Sequence, residues 1–307
     1  MNLNKKMKKY FILPIIALII VACGEKSEPT EANSIQGKKT AVLIVNHGSV
    51  AESWRNQLLD IETQIEDELL SKPEISDVRT AFMEYTEPSI ATRMKEFDEE
   101  GYDEVIIVPV FLTVSSHYSH DIPVIVGLSA DPKIKEQLKK EKIETYRSNA
   151  KVTIAPPLDY SSILKKNVER RVNALSKNAE NEGVLLVAYG DQQYNQQWEE
   201  MVENIGKYLK MKTGHSDIAY AWCGHLVHYS LEPTKKGIEK LQELNDNVIV
   251  IPVLIANDPY FQRDIIQKAV DEVMVDDNVL YVQDAILPDD NVNNWVKDIA
   301  IKTVKGL

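Results

Sequence analysis

The stretch Ala41–Ser49, AVLIVNHGS, returns at residues 183–191 as GVLLVAYGD. Residues 103–122, DEVIIVPVFLTVSSHYSHDI, return at 246–265 as DNVIVIPVLIANDPYFQRDI, and Glu87-Pro88 returns as Glu232-Pro233. The copies keep their order at a spacing of roughly 143 residues, which marks a duplicated structural unit. Each copy holds four short apolar runs rich in Val and Ile. In the first they lie at 40–45, 78–83, 104–111 and 152–154, and in the second at 184–188, 218–222, 248–255 and 280–282. Such runs read as buried strands. Between them lie segments of helical period: residues 51–70 put Trp54, Leu58, Ile61, Ile65 and Leu69 on one face, and residues 161–175 and 197–209 behave alike. Buried strands joined by helices give parallel sheets wound on both faces. The expected fold is therefore α/β: two tandem doubly wound lobes, each a mainly parallel four-stranded sheet flanked by helices, with a cleft between them. The lobes are expected at 39–178 and 183–307, with Lys177–Glu182 as linker. The polar stretch Asp131–Asn149 has no counterpart after Asp276 and reads as an excursion on the first lobe.

The N-terminus stands apart from the repeat. Lys5, Lys6, Lys8 and Lys9 precede an apolar run, Tyr10–Val21, of signal-peptide length and too short to span a bilayer. Ile20-Val21-Ala22-Cys23-Gly24 resembles a bacterial lipobox, which implies cleavage before Cys23 and lipidation of its sulfur. The expectation is a signal peptide at 1–22, then a lipidated Cys23 and a flexible tether to residue 38. The protein would then be exported and held at the cell envelope by a lipid, on the periplasmic side or at the outer membrane in a Gram-negative organism. The net charge of −12 becomes −16 once the four leader lysines are discounted. That surface argues against nucleic acid and gives no general attraction for an anionic ligand. With Cys23 acylated, Cys223 is alone, so no disulfide framework forms and it reads as a small buried residue.

Open α/β sheets bind ligands beyond the carboxyl ends of their strands. Three such ends in the first lobe carry chemistry. The first gives His47 before Gly48-Ser49. The second gives Glu84, then Glu87-Pro88-Ser89. The third leads to His117, with His120 and Asp121 close behind. Two imidazoles and a carboxylate suit capture of a divalent ion of the cobalt, nickel or iron type, and imidazole also suits taking protons from a weakly acidic N–H. No serine nucleophile elbow, P-loop or dinucleotide fingerprint occurs.

The stretches VNHGS, FMEYTEPSI (82–90) and FLTVSSHYSHDIP (111–123) together resemble the signature stretches of the sirohydrochlorin cobaltochelatases, the class II, ATP-independent tetrapyrrole chelatases. The resemblance covers residues 40–175 and implies two tandem chelatase-like lobes. It also implies insertion of a divalent metal into a sirohydrochlorin-like tetrapyrrole. The metal is expected to be substrate, Co2+ first and Fe2+ or Ni2+ next, with no nucleotide. On the same basis His47, His117 and Glu84 are the metal-binding and proton-accepting residues. A glycine usual before the third-strand histidine is Ser116 here, behind Ser115. In the second copy Tyr189 replaces His47, Tyr260 replaces His117, and Glu84 falls near Gly224. One lobe is therefore expected to be active, with the second completing the cleft and Tyr189 and Tyr260 stacking on or hydrogen-bonding the tetrapyrrole. An envelope binding protein that captures metal or a haem-type tetrapyrrole without chemistry fits the same features.

Lesser expectations attach to other residues. Gly48 and Ser49 open a helix whose N–H groups could hold a ligand carboxylate, with Arg55 and Arg79 as partners for others. His120 reads as a support residue and Asp121 as a helix N-cap. His225 and His228 could present two rings on one helical turn. His215 has no context.

Overall fold

A computed structural model describes residues 37–158 and 162–307. The leader, Cys23, most of the tether, and Ser161 at the start of one expected helix lie outside the described residues. In the first lobe β1 (Thr40–Asn46), β2 (Asp77–Phe82), β3 (Glu104–Pro109) and β4 (Lys151–Ile154) form a parallel sheet in the order β2-β1-β3-β4. In the second, β5 (Glu182–Ala188), β6 (Ile218–Trp222), β7 (Asn247–Val253) and β8 (Val279–Tyr281) repeat that order as β6-β5-β7-β8. The first half of the chain supplies helices α1 (Glu52–Leu70), α2 (Ile90–Glu99), α3 (Ile122–Ile125), α4 (Pro132–Lys140) and α5 (Ser162–Leu175). The second supplies α6 (Asn195–Thr213), α7 (Glu232–Gln242), α8 (Pro259–Phe261), α9 (Lys268–Val273) and α10 (Asp290–Val304). No described helix is long and apolar enough to cross a membrane.

The central strands are buried on both faces, which is why they read as unbroken apolar runs. In β1, Val42 and Ile44 point to one core while Ala41, Leu43 and Val45 point to another. In β5, Val184, Leu186 and Ala188 face the first of these cores, and Leu185 and Val187 face a third. The lobes thus share one continuous inner core, and each has an outer core of its own.

The shared core exists because the last helix of each sequence repeat crosses over. Helix α5 follows β4 but packs on α6 and β7 of the second sheet, and α10 follows β8 but packs on α1 and β3 of the first. Val168 and Val172 of α5 and Val292 and Val296 of α10 are fully buried in that core. The crossing is tied by buried polar groups. The Asn167 amide donates to Asp289 at 2.6 Å and to the Ile286 carbonyl at 2.9 Å. The Arg171 guanidinium donates to the Pro252 carbonyl at 2.7 Å and forks onto Asp284. The helices that cover the two sheets are thus exchanged between the two sequence repeats.

Candidate metal and macrocycle site

Beyond β1 the chain turns at His47-Gly48. Gly48 has φ +111°, and a Cβ there would lie 1.9 Å from the Glu84 carbonyl oxygen. Glycine lets the loop after β1 lie directly on the backbone that leaves β2. The N–H groups of Met83 and Glu84 both donate to the His47 carbonyl, at 3.1 and 2.9 Å. That close apposition brings His47 Nε2 to 2.9 Å from Glu84 Oε1. On the other side of the ring, Nδ1–H donates to the Gly48 carbonyl at 3.0 Å. Nε2 is thereby the nitrogen turned toward the carboxylate, and the two share a proton.

His117 is placed differently. After β3 the chain runs through a loop into a π-helical turn, His117–Asp121, a rare conformation often found at functional sites. Four residues apart on that turn, His117 Nδ1 and Asp121 Oδ2 meet at 2.7 Å, and Asp121 is buried. Asp121 fixes the tautomer and leaves Nε2 for the cleft. The His47 and His117 rings stand edge to face, 4.8 Å between centroids. One donor atom each from His47, Glu84 and His117 fall within 4.8 Å of one another.

Burial pulls the His47 pKa down, but the Glu84 carboxylate, the Gly48 carbonyl and Asp121 outweigh it and hold the ring above its ordinary value. Burial pushes Glu84 up, yet His47, His117 and the Tyr85 hydroxyl win and hold its carboxyl below the usual range. Both shifts favour the charged forms, imidazolium on His47 and carboxylate on Glu84. An incoming cation would displace the proton between them and inherit both partners.

His47 and His117 open onto a cavity of about 350 Å³ between the lobes. Trp54, Tyr85 and Phe111 line it from the first lobe, and Tyr189, Trp198, Tyr229, Tyr260 and Phe261 from the second. The Tyr189 and Tyr229 hydroxyls meet at 3.3 Å, and the Tyr229 and Tyr260 rings meet edge to face at 6.0 Å. Burial and the Tyr229 hydroxyl push the Tyr189 phenol well up, so it stays protonated.

The second lobe keeps the junction and loses the ligands. Cys223 N–H donates to the Ala188 carbonyl at 2.9 Å and Gly224 N–H to the Tyr189 carbonyl at 3.0 Å, repeating the contacts of Met83 and Glu84. Gly190, at φ +80°, takes the place of Gly48. Glycine in place of Glu84 leaves no carboxylate there.

Several residues sit elsewhere than the sequence suggests. The helix that Gly48 and Ser49 were to open begins at Glu52, and the Ser49 hydroxyl instead donates to Asp258 of the second lobe at 2.6 Å. Arg79 is held by Asp77, Glu96 and Glu100 away from the cavity, and Arg55 is spent on the Ser49 and Val50 carbonyls. Asp121 occupies the position before α3 without capping it; its carboxylate is committed to His117. His120 Nε2 reaches the Tyr194 hydroxyl at 3.0 Å, bridging the lobes. His225 lines the cavity beside the Tyr189 ring, 5.5 Å between centroids, whereas His228, in left-handed backbone at φ +53°, does not line it. His215 is buried against Glu182 and Thr213. The sequence reading missed Asp121 as partner of His117, and it missed the rest of the aromatic wall, Tyr85, Phe111, Trp198, Tyr229 and Phe261. The first had a signal in the His-x-x-x-Asp spacing; the second had none.

Residues 41–175 match the CbiX family model. The chain is 29% identical over 132 residues to a sirohydrochlorin cobaltochelatase of Saccharolobus solfataricus, a match covering 43% of this chain and 92% of that protein. Among solved structures, the sirohydrochlorin chelatase SirB from Bacillus subtilis subspecies spizizenii, in complex with cobalt, superposes with a TM-score of 0.59 at 17% identity, over 87% of this chain and 96% of that one. SirB from Bacillus subtilis with Fe3+ gives 0.60 at 18% identity, over the same shares. At those identities the structures show a common fold of two lobes.

Proposed function

The first lobe belongs to the CbiX family of sirohydrochlorin chelatases, and from that premise we propose that this chain inserts a divalent metal into a metal-free tetrapyrrole held between its lobes. The observation that carries the reading is the gathering of His47 Nε2, the Glu84 carboxylate and His117 on one side of an aromatic-walled cleft. Metal insertion needs an ion held loosely and bases for the two pyrrole protons that leave as it enters. His47 and Glu84 hold the ion by exchanging their shared proton for it. His117, backed by Asp121, accepts the two pyrrole protons one after the other at Nε2 and passes each to water at the cleft mouth. The opposing rings of Tyr189, Tyr229 and Tyr260 support the macrocycle face while the ion moves to the four nitrogens. Cobalt is the first choice of metal, supported by the name of the Saccharolobus relative and by the cobalt complex of SirB, with iron next. The lipobox-like Cys23 supports a lipid anchor at the cell envelope.

The test is an absorbance-monitored insertion assay on the purified chain with Co2+, Fe2+ and Ni2+ against sirohydrochlorin and porphyrins. Turnover that falls about 100-fold or more in His47→Ala and in His117→Ala is expected. Tight stoichiometric binding of tetrapyrrole with no turnover for any metal would refute the reading and leave a capture protein.

A further inference from the structure

Resting on the chelatase reading of this site, we propose that His225 of the second lobe receives an acid arm of the macrocycle. The sirohydrochlorin-like substrate carries acetate and propionate arms on every ring. A macrocycle that enters the cleft therefore brings carboxylates with it. Each needs a donor in place of the water it sheds.

Among the described residues that line the cavity none is Lys or Arg, and three are histidines: His47, His117 and His225. Two of these rings are already engaged. His47 Nε2 lies 2.9 Å from Glu84, and His117 Nδ1 lies 2.7 Å from Asp121. What capacity they keep serves the ion and the pyrrole protons. His225 differs from both. It is exposed, it packs beside the Tyr189 ring, and among the described residues its own ring has no hydrogen-bond or ion-pair partner. The two carboxylates that line the cavity do not occupy it. Asp191 accepts the N–H groups of Gln193 and Tyr194 at 2.8 and 2.9 Å, and Asp258 accepts the Ser49 hydroxyl at 2.6 Å and the Tyr260 N–H at 3.0 Å.

The loop that carries His225 holds it in place. The N–H groups of Val227 and Tyr229 both donate to the Gly224 carbonyl, at 3.2 and 3.0 Å. A Cβ on Gly224 would lie 2.5 Å from the Tyr189 carbonyl oxygen, so the loop is pressed onto that residue. His225 and Tyr229 consequently flank one phenol, with 5.5 Å between the His225 and Tyr189 ring centroids and 3.3 Å between the Tyr229 and Tyr189 hydroxyls. A macrocycle face resting on these tyrosines puts its peripheral arms, rather than its four nitrogens, beside an imidazole at their rim. The repeat sharpens the assignment. Gly224 stands where Glu84 stands in the first lobe, so His225 is the counterpart of Tyr85. The Tyr85 hydroxyl is given to Glu84, whereas the His225 ring keeps its donor for a ligand.

The experiment titrates two metal-free porphyrins into the purified full chain and follows their fluorescence. Uroporphyrin III carries acetate and propionate arms on every ring, and its octaamide carries neutral arms of the same shape. His225→Ala is expected to weaken uroporphyrin binding by about tenfold or more, the worth of a hydrogen bond to a charged group, and to leave the amide within about threefold of the parent. His225→Arg restores a charged donor and should recover most of the acid affinity. In the insertion assay with uroporphyrin the loss in His225→Ala should fall on KM more than on kcat, because the arm is held alike before and during insertion. Equal losses for acid and amide would make His225 a packing partner of Tyr189 and overturn the proposal. So would unchanged binding of both. A Co2+ affinity lowered by His225→Ala in the absence of porphyrin would make the ring a metal ligand and overturn it too. The same measurements separate the two readings. Acid-selective loss in His225→Ala with no insertion by the parent refutes the chelatase assignment alone, whereas insertion by the parent with an unaltered KM in His225→Ala refutes the arm proposal alone.

Discussion

Gly48→Ala tests how the site is built without touching a ligand. Alanine at φ +111° costs on the order of 1–3 kcal/mol in backbone strain. Its Cβ would sit 1.9 Å from the Glu84 carbonyl oxygen. Ordinary C···O contacts begin near about 3.3 Å, so the loops after β1 and β2 must part by more than about 1 Å. The two hydrogen bonds to the His47 carbonyl stretch or break, at roughly 1 kcal/mol each. Together the loss is on the order of 3–5 kcal/mol, or a melting point lower by about 10 °C. The same parting moves Glu84 away from His47 Nε2, now 2.9 Å distant, and a displacement of about 1 Å costs roughly 100-fold in a positioned reaction. Calorimetric titration with Co2+ and a thermal melt measure the two effects. Gly190→Ala is the control: it crowds the Trp222 ring, at 3.1 Å, in the lobe without ligands. It should lower stability and leave Co2+ affinity intact. If Gly48→Ala binds Co2+ within about threefold of the parent, the apposition of the two loops does not make the site.

Asp121→Asn should weaken Co2+ binding by about 10–100-fold with little change in melting temperature, because it frees the His117 ring without emptying the core; a calorimetric titration and a melt give both numbers. Co2+ affinity should rise with pH through and beyond 6.5, since metal displaces a proton from a His47 whose pKa is raised, and proton release in two buffers of different ionisation enthalpy reports it. The stability contributed by His47 is full below 6.5 and lost as pH rises through its raised value, whereas that of Glu84 is full above 4.5 and lost as pH falls through its lowered value. A Glu84→Gln minus parent difference in unfolding free energy should accordingly peak between those two values. Val296→Asp, which puts an unpaired carboxylate into the shared core, should destabilise by roughly 3–5 kcal/mol, and the Trp54 and Trp198 environments of the two lobes should be lost in one transition.

The sheets were legible because β1, β3, β5 and β7 are buried on both faces and so advertise themselves as apolar runs. The duplication gave the lobe count. Histidines at strand ends pointed to the cleft because parallel sheets collect loops there. What was hidden depends on partners far along the chain. An amphipathic helix records that one face is buried but not which sheet buries it, so nothing in α5 or α10 shows the exchange. Arg79 looked available because Asp77, Glu96 and Glu100 converge on it only after β2 and α2 pack. Asp121 looked like a cap because the π-helical turn that aims it at His117 has no sequence signature beyond the spacing. His225 and His228 diverge because the second ends its short turn in left-handed backbone.

The exchange of α5 and α10 also sets an order of events as the chain emerges with its N-terminal half first. The sheet that bears His47, Glu84 and His117 is complete once β4 emerges, yet the helix that covers α1 and β3 is α10, the last described helix to be made. Until then Val42, Ile44 and Leu58 lack part of their cover. Meanwhile α5 has no sheet to rest on until β5 and β7 are synthesised. The half with the ligands thus cannot mature ahead of the half without them. A chain stopped before Asp290 should be open to protease in both halves, and the metal site should close only once α10 has been made.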